Sequence, residues 1–318
     1  MKVYSGHSRQ KIAVLFILIV YTVWGTQPLY WQLFGPITLS HIMAHRIIWS
    51  SVLLLPIVMM TKRREQLRQI PGSLRRIAIL ILCALAIGGN WLLNIYAAAT
   101  KQVVEASLGH YITPIAIILL GVFVLKEPFR LYKIIALALA ALGTVILTVH
   151  IGRLPMIALL LVITFVTYTF LKKTTPLGPL VGVTAETLIL MPFAVLFLVY
   201  QHSRGVPFFF TNSPKDVVML ISTGAFTSIP LLLFSTGVRW IDFSNLGFLQ
   251  YYAPSLSLLI GIFIFRERFG PVYFLSFSYI WTAILIVVFT PIIIRRKKDG
   301  EMNGKNGGAV NGLSRIPE

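Results

Sequence analysis

The sequence predicts an all-α polytopic membrane protein whose ten transmembrane helices form two inverted five-helix repeats. Three observations predict it. Of 318 residues, 57% are hydrophobic and 12% charged, with a mean hydropathy of +0.82, so there are too few polar residues to coat a soluble core. Apolar runs of the roughly 20 residues needed to cross a hydrocarbon layer follow one another along the chain. Finally, a shift of 140 residues lays one half of the chain over the other.

The expected spans are 11–33, 39–60, 77–99, 104–125, 131–150, 155–171, 179–200, 217–238, 243–265 and 271–294. Each reads as helix, because open strands leave edge groups unsatisfied in lipid and these runs lack the alternation of a barrel strand. The first span follows Lys2, Arg9 and Lys11 but is longer than a signal-peptide core and shows no cleavage pattern, so it is expected to stay as an anchor. Cys83 falls in the third span and reads as a small apolar packing residue. Residues 1–10 form a cytoplasmic N-terminus, 11–150 the first repeat and 151–294 the second. The Gly- and Asn-rich stretch 295–318 reads as a disordered cytoplasmic tail.

The net charge of +18 raises nucleic acid as a partner, and charge placement decides against it. With the N-terminus inside, all but seven of the 28 Lys and Arg residues are cytoplasmic: Lys101, Arg153, Arg204, Lys215, Arg266 and Arg268 lie outside, and Arg46 lies within a span. This is the positive-inside asymmetry, and it predicts contact with anionic lipid headgroups and no nucleic-acid partner.

The repeat aligns YITPIAIILLGVFVLKEPF (111–129) with YYAPSLSLLIGIFIFRERF (251–269), matching Tyr111/Tyr251, Pro114/Pro254, Gly121/Gly261 and Glu127/Glu267 among others. A shift of 141 lays AHR (44–46) over AET (185–187). Five crossings separate equivalent spans. Because five is odd, equivalent helices run in opposite directions, the architecture of alternating-access transporters with a substrate site at mid-membrane between the halves.

Ionisable residues inside spans are expensive and mark candidate sites. Here they are His45 and Arg46, Glu105 and His110, and Glu186. Glu186 is expected to face the His45/Arg46 pair, either as a structural counter-ion contact or as a gate. Glu105 reads either as a solvated carboxylate complementing a helix start or, if deeper, as a proton carrier. His110 and Tyr111 precede Pro114 by one turn as Gln250 and Tyr251 precede Pro254. Each proline frees a carbonyl one turn upstream and permits bending, so both prolines are candidate hinges and both polar pairs candidate cavity walls. Asn90 and Asn94 share a helix face, with Tyr96 and Trp91 nearby, and suit either the cavity or helix-to-helix bonding near Gly88 and Gly89. Trp24, Gln27 and Tyr168 suit the pocket or the interfacial belt, and Trp31 and Trp49 are assigned to the belt. The small residues of 136–147 suit a homodimer contact or packing within the monomer. No nucleotide loop, metal motif or nucleophile motif occurs in the sequence, so neither an enzyme nor a cofactor is expected.

The phrases HRIIWS (45–50), GGNWLLNIYAA (88–98), EASLGHYITP (105–114), KEPFR (126–130), ETL (186–188) and LGFLQYYAPSL (246–256) resemble, in order, the RarD branch of EamA-domain proteins in the drug/metabolite transporter superfamily. The resemblance covers about 11–294. It implies ten helices in two EamA repeats, a bacterial inner membrane, and export of a small metabolite or drug. His110, Tyr111 and Thr113 stand where the family's usual pattern has an aromatic pair and Asn before the proline, which bears on substrate identity. The leading expectation is a secondary transporter of a small-molecule substrate. The alternative is a non-transporting scaffold or sensor that holds a cytoplasmic partner by the 61–76 loop and the tail.

Overall fold

The computed structural model describes residues 6–35, 37–152, 156–210, 213–266 and 270–312, and within these the side chains of 6, 7, 104, 105, 151, 292 and 295–312 lie outside the description. Helices α1 (Gly6–Gly25) and α2 (Gln27–Gln32) make the first span, and α3 (Leu39–Met60) the second. The short α4 (Arg64–Arg68) lies in the basic loop. Then come α5 (Leu74–Ala99), α6 (Val103–Phe123), α7 (Leu131–Ile151), α8 (Met156–Thr174), α9 (Pro179–Ser203) and α10 (Pro214–Trp240). The ninth span is α11 (Phe243–Gln250) plus α12 (Tyr252–Phe263), and α13 (Pro271–Gly312) is the tenth. Among the described residues there is no strand, and ten helical stretches are long and apolar enough to cross a membrane.

The helix boundaries have local causes. Thr38 and Ser73 accept bonds from the amides of His41 and Arg76 at the starts of α3 and α5. Proline stands in the first turn of α2, α9 and α10, where its missing N–H costs nothing. α13 runs on to Gly312, so the backbone of 295–312 is helical where composition predicted disorder.

Three pairs of repeat-equivalent helices touch, each antiparallel. His41, near the start of α3, meets Phe197, near the end of α9, while Arg63, just past α3, lies against Gly178, just before α9. Along α6, Gly121 meets Phe243 and Ser244, whereas Pro114 and Ile118, further back, meet Gly247, further on. On α7, His150 meets Tyr273 while Gly143 meets Ser276 and Ile280 of α13. The other extensive contacts pair α10 with α3 and α1, α8 with α5 and α6, α1 with α12, and α5 with α9. The small residues Ala136, Ala140 and Gly143 of α7 are thus occupied by α13 within the chain.

The turns after α6 and α12 are also alike. Lys126 and Arg266, equivalent in the repeat, both take left-handed backbone, at φ 54° and 55°. Glu127 then reaches the start of α11: its Oε1 accepts from the Phe243 amide at 2.7 Å and its Oε2 from the Ser244 amide at 2.9 Å. A carboxylate on two free amides at a helix N-terminus is a strong cap. Lys133 donates to Ser244 Oγ at 2.9 Å, and Lys173 donates to the Ile241 carbonyl. The α10–α11 turn is therefore held by side chains from α7, α8 and the α6–α7 turn. This end of the bundle, the basic end, also carries the 61–73 loop.

Candidate functional site

The carboxylate expected opposite His45 and Arg46 has a different partner. Glu186 Oε1 pairs with Lys172 Nζ at 2.6 Å, with side chains only 3% and 1% exposed, and the Tyr168 hydroxyl donates to Glu186 Oε2 at 3.4 Å. The reason is geometric. Positions equivalent in an inverted repeat lie at mirrored depths, so only those near the midplane can meet. Glu186 and Arg46 each stand seven residues into their helices, about 10 Å along the axis, but α3 and α9 are antiparallel, which places them toward opposite ends. Lys172, read from sequence as a cytoplasmic charge, shares Glu186's depth.

Among the described residues, Arg46 has no carboxylate partner. Its Nε donates to Thr227 Oγ1 at 3.0 Å, and its guanidinium carbon lies 4.4 Å from the ring centre of Trp91 and 5.6 Å from that of Trp31. Tyr30 stacks on Phe226 at 3.9 Å beside Trp31. Trp31 thus belongs to an interior aromatic nest, not to the belt. Trp24 is interior too, packed on Tyr21, Phe165 and Phe234, with Tyr168 stacked on Phe234 below.

His45 is a loop anchor. Its Nδ1 accepts from Trp49 Nε1–H at 3.2 Å, which leaves the proton on Nε2 to donate to the Phe208 carbonyl at 2.7 Å. Phe209 stacks on His45 and on Trp49. Trp49, assigned from sequence to the belt, serves this contact between α3 and the 204–210 loop.

A second polar group joins three helices. Buried Asn90 donates from Nδ2 to the Leu161 carbonyl at 3.1 Å and to Thr164 Oγ1 at 3.0 Å. Asn94 donates to the Asn90 carbonyl at 2.9 Å, and its Oδ1 lies 3.3 Å from His110 Nε2. An amide oxygen only accepts, so His110 carries its proton on Nε2. His110 is exposed, whereas Asn94 is half-buried, so the chain runs from packed interior at Asn90 and Leu161 to open space at His110.

Other expected residues are not gathered here. Tyr96 is 55% exposed. Tyr111 and Tyr251 are buried in the cluster between α6, α7 and α13, with Tyr111 edge-on to Phe277. They are packing residues, because one helical step from His110 or Gln250 turns the side chain by roughly 100°. Gln250 is 8% exposed and its Oε1 has no partner. Glu105 lies on α6 with its side chain outside the described residues. Pro114 sits inside an unbroken α6, while Pro254 follows the break between α11 and α12 at Tyr251. Sequence reading missed Lys172, Trp31, Thr227 and Phe226 as site neighbours. The available signal was that every ionisable group in a span needs a partner at its own depth.

Comparison with known proteins fixes the family. The EamA-like transporter family model matches residues 11–149. The chain is 35% identical over 294 residues to the uncharacterized transporter YojE of Bacillus subtilis (strain 168), covering 91% of this chain and 98% of that one. It is 32% identical over 284 residues to Protein RarD of Escherichia coli (strain K12), covering 89% and 96%. The chain belongs to the RarD-type EamA proteins. A crystal structure 16% identical to this RarD-type chain superposes with a TM-score of 0.64 over 86% of it and 96% of the other, a likeness of fold alone. As a RarD-type EamA protein it is a multi-pass membrane transporter.

Proposed function

We propose that this RarD-type protein exports a small metabolite or drug from the bacterial cytoplasm by alternating access, rocking two inverted halves about the seam between them. The observation that carries this reading is the antiparallel contact of three repeat-equivalent helix pairs, α3 with α9, α6 with α11–α12 and α7 with α13. A pseudo-two-fold axis in the membrane plane places such helices at the interface that opens alternately to each side. The basic end is cytoplasmic in this reading, with both termini inside, in the inner membrane and against anionic lipid. The broken ninth span supplies a place to bend, and the carbonyls of His110 and Gln250, released by Pro114 and Pro254, supply polar backbone beside the moving seam. Transport is driven by a solute or ion gradient, and the protein carries out no chemical conversion.

The experiment is counterflow. Proteoliposomes loaded with unlabelled amphenicol, amino acid or nucleobase are diluted into the labelled compound. Transient accumulation is expected for at least one class. Asn94→Ala and His110→Ala should each slow it about tenfold, the equivalent of one lost polar contact near 1.4 kcal/mol. Chemical conversion of the label, or no accumulation with any of the three classes, would contradict the proposal.

A further inference from the structure

An unpaired guanidinium within a spanning helix calls for an explanation, because a cation there is retained only with a partner or a water-filled cavity. Among the described residues, the other cations on the spans near the seam are all engaged. Lys172 is neutralised by Glu186, Lys133 bonds Ser244, Lys173 bonds the Ile241 carbonyl, and Arg239 bonds the carbonyls of Thr175 and Leu177. Arg46 has one bond, from Nε to Thr227. Its side chain is half-buried and not sealed, and neither Nη finds an acceptor in the described protein.

The surroundings hold the group in place without neutralising it. The faces of Trp91 and Trp31 attract the cation, and they contribute no hydrogen-bond acceptor to its edge. Thr227 fixes the Nε side. What remains is the edge bearing the two Nη nitrogens, whose parallel N–H bonds match the two oxygens of a carboxylate. Trp31 and Trp91, with Tyr30 and Phe226 behind them, offer flat apolar walls for the rest of such a molecule. The repeat strengthens this. Arg46 stands opposite Thr187, which is buried and donates to the Thr184 carbonyl, so the positive site exists in one half only.

We propose that Arg46 anchors the carboxylate of the transported substrate, with Trp31 and Trp91 packing its body, so that the substrate class is small amphipathic organic carboxylates. This rests on the transporter reading for its biological sense, but the binding it asserts is measurable without transport.

The test is ligand-induced stabilisation of the purified protein in detergent. The probes are phenylacetate, indole-3-acetate and phenylalanine, each against its uncharged amide. At least one acid is expected to raise Tm and quench tryptophan fluorescence saturably, with its amide binding at least about tenfold more weakly. Arg46→Gln should abolish the difference between acid and amide, and Arg46→Lys should keep the charge yet lose most of the affinity. The wild-type comparison decides the matter even if the variants fail to fold. No shift with any acid, or equal shifts for acids and amides, overturns the proposal. Acid-selective binding without counterflow would retain the anchor and sink the transporter reading, whereas counterflow of neutral compounds at the wild-type rate in Arg46→Gln would do the reverse.

Discussion

Lys172→Met or Glu186→Gln alone should strip most of the folded protein from the membrane, and Lys172→Met combined with Glu186→Met should restore it. The pair is 2.6 Å apart and almost wholly buried, and the Tyr168 hydroxyl reaches the second carboxylate oxygen. Removing one member leaves the other charged or forced to neutralise in a dry site, at a cost of about 3–5 kcal/mol, whereas replacing both by apolar groups of similar volume is often neutral or better. Thermal unfolding of a fluorescent fusion in detergent checks this. Single variants as stable as the wild type would mean that water reaches the pair.

The next largest effect is expected from Gly247→Ala. The added Cβ would lie 2.5 Å from Ile118 Cγ1 and 2.6 Å from the Pro114 carbonyl oxygen. A side chain can rotate away, but a backbone carbonyl moves only with its helix, so α6 and α11 must separate at their crossing. Overpacking of this kind costs about 1–3 kcal/mol, and counterflow should fall further than stability does. Gly89→Ala is the control. Its nearest neighbour is Thr164 Cγ2 at 4.0 Å, and alanine favours helix over glycine by about 1 kcal/mol, so Tm should hold or rise. Equal behaviour of the two variants would show that the crossing is not close-packed.

The ten spans were legible because lipid imposes a length and a composition that survive without any knowledge of packing. The observed stretches, from Ser8–Gln32 to Pro271–Pro291, begin or end within a few residues of those read from sequence. Glu127, one of the positions shared in the 140-residue self-alignment, caps α11. Partnerships were harder. Sequence alignment of the halves set Glu186 against His45, but equivalence in an inverted repeat is equivalence at mirrored depth, and Lys172, on a neighbouring helix at the same depth, had the shorter reach. Tyr111 and Tyr251 were misplaced for a related reason. Proximity in sequence to a polar residue says little when each helical step turns the side chain by about 100°. Trp31 lies near the end of its span and Trp49 in the middle of its own, and only tertiary contacts show that one faces Arg46 and the other His45.

The central claim, two related halves inserted upside down with respect to each other, is tested most directly by sidedness. Cys83 is buried and is the one cysteine in the chain, so Cys83→Ser gives a clean background. Lys126→Cys and Arg266→Cys then mark the equivalent left-handed turns that follow α6 and α12. With an impermeant maleimide on intact cells and on inverted vesicles, Lys126→Cys should label only from the cytoplasmic side and Arg266→Cys only from outside. Labelling of both from the same side would contradict the account.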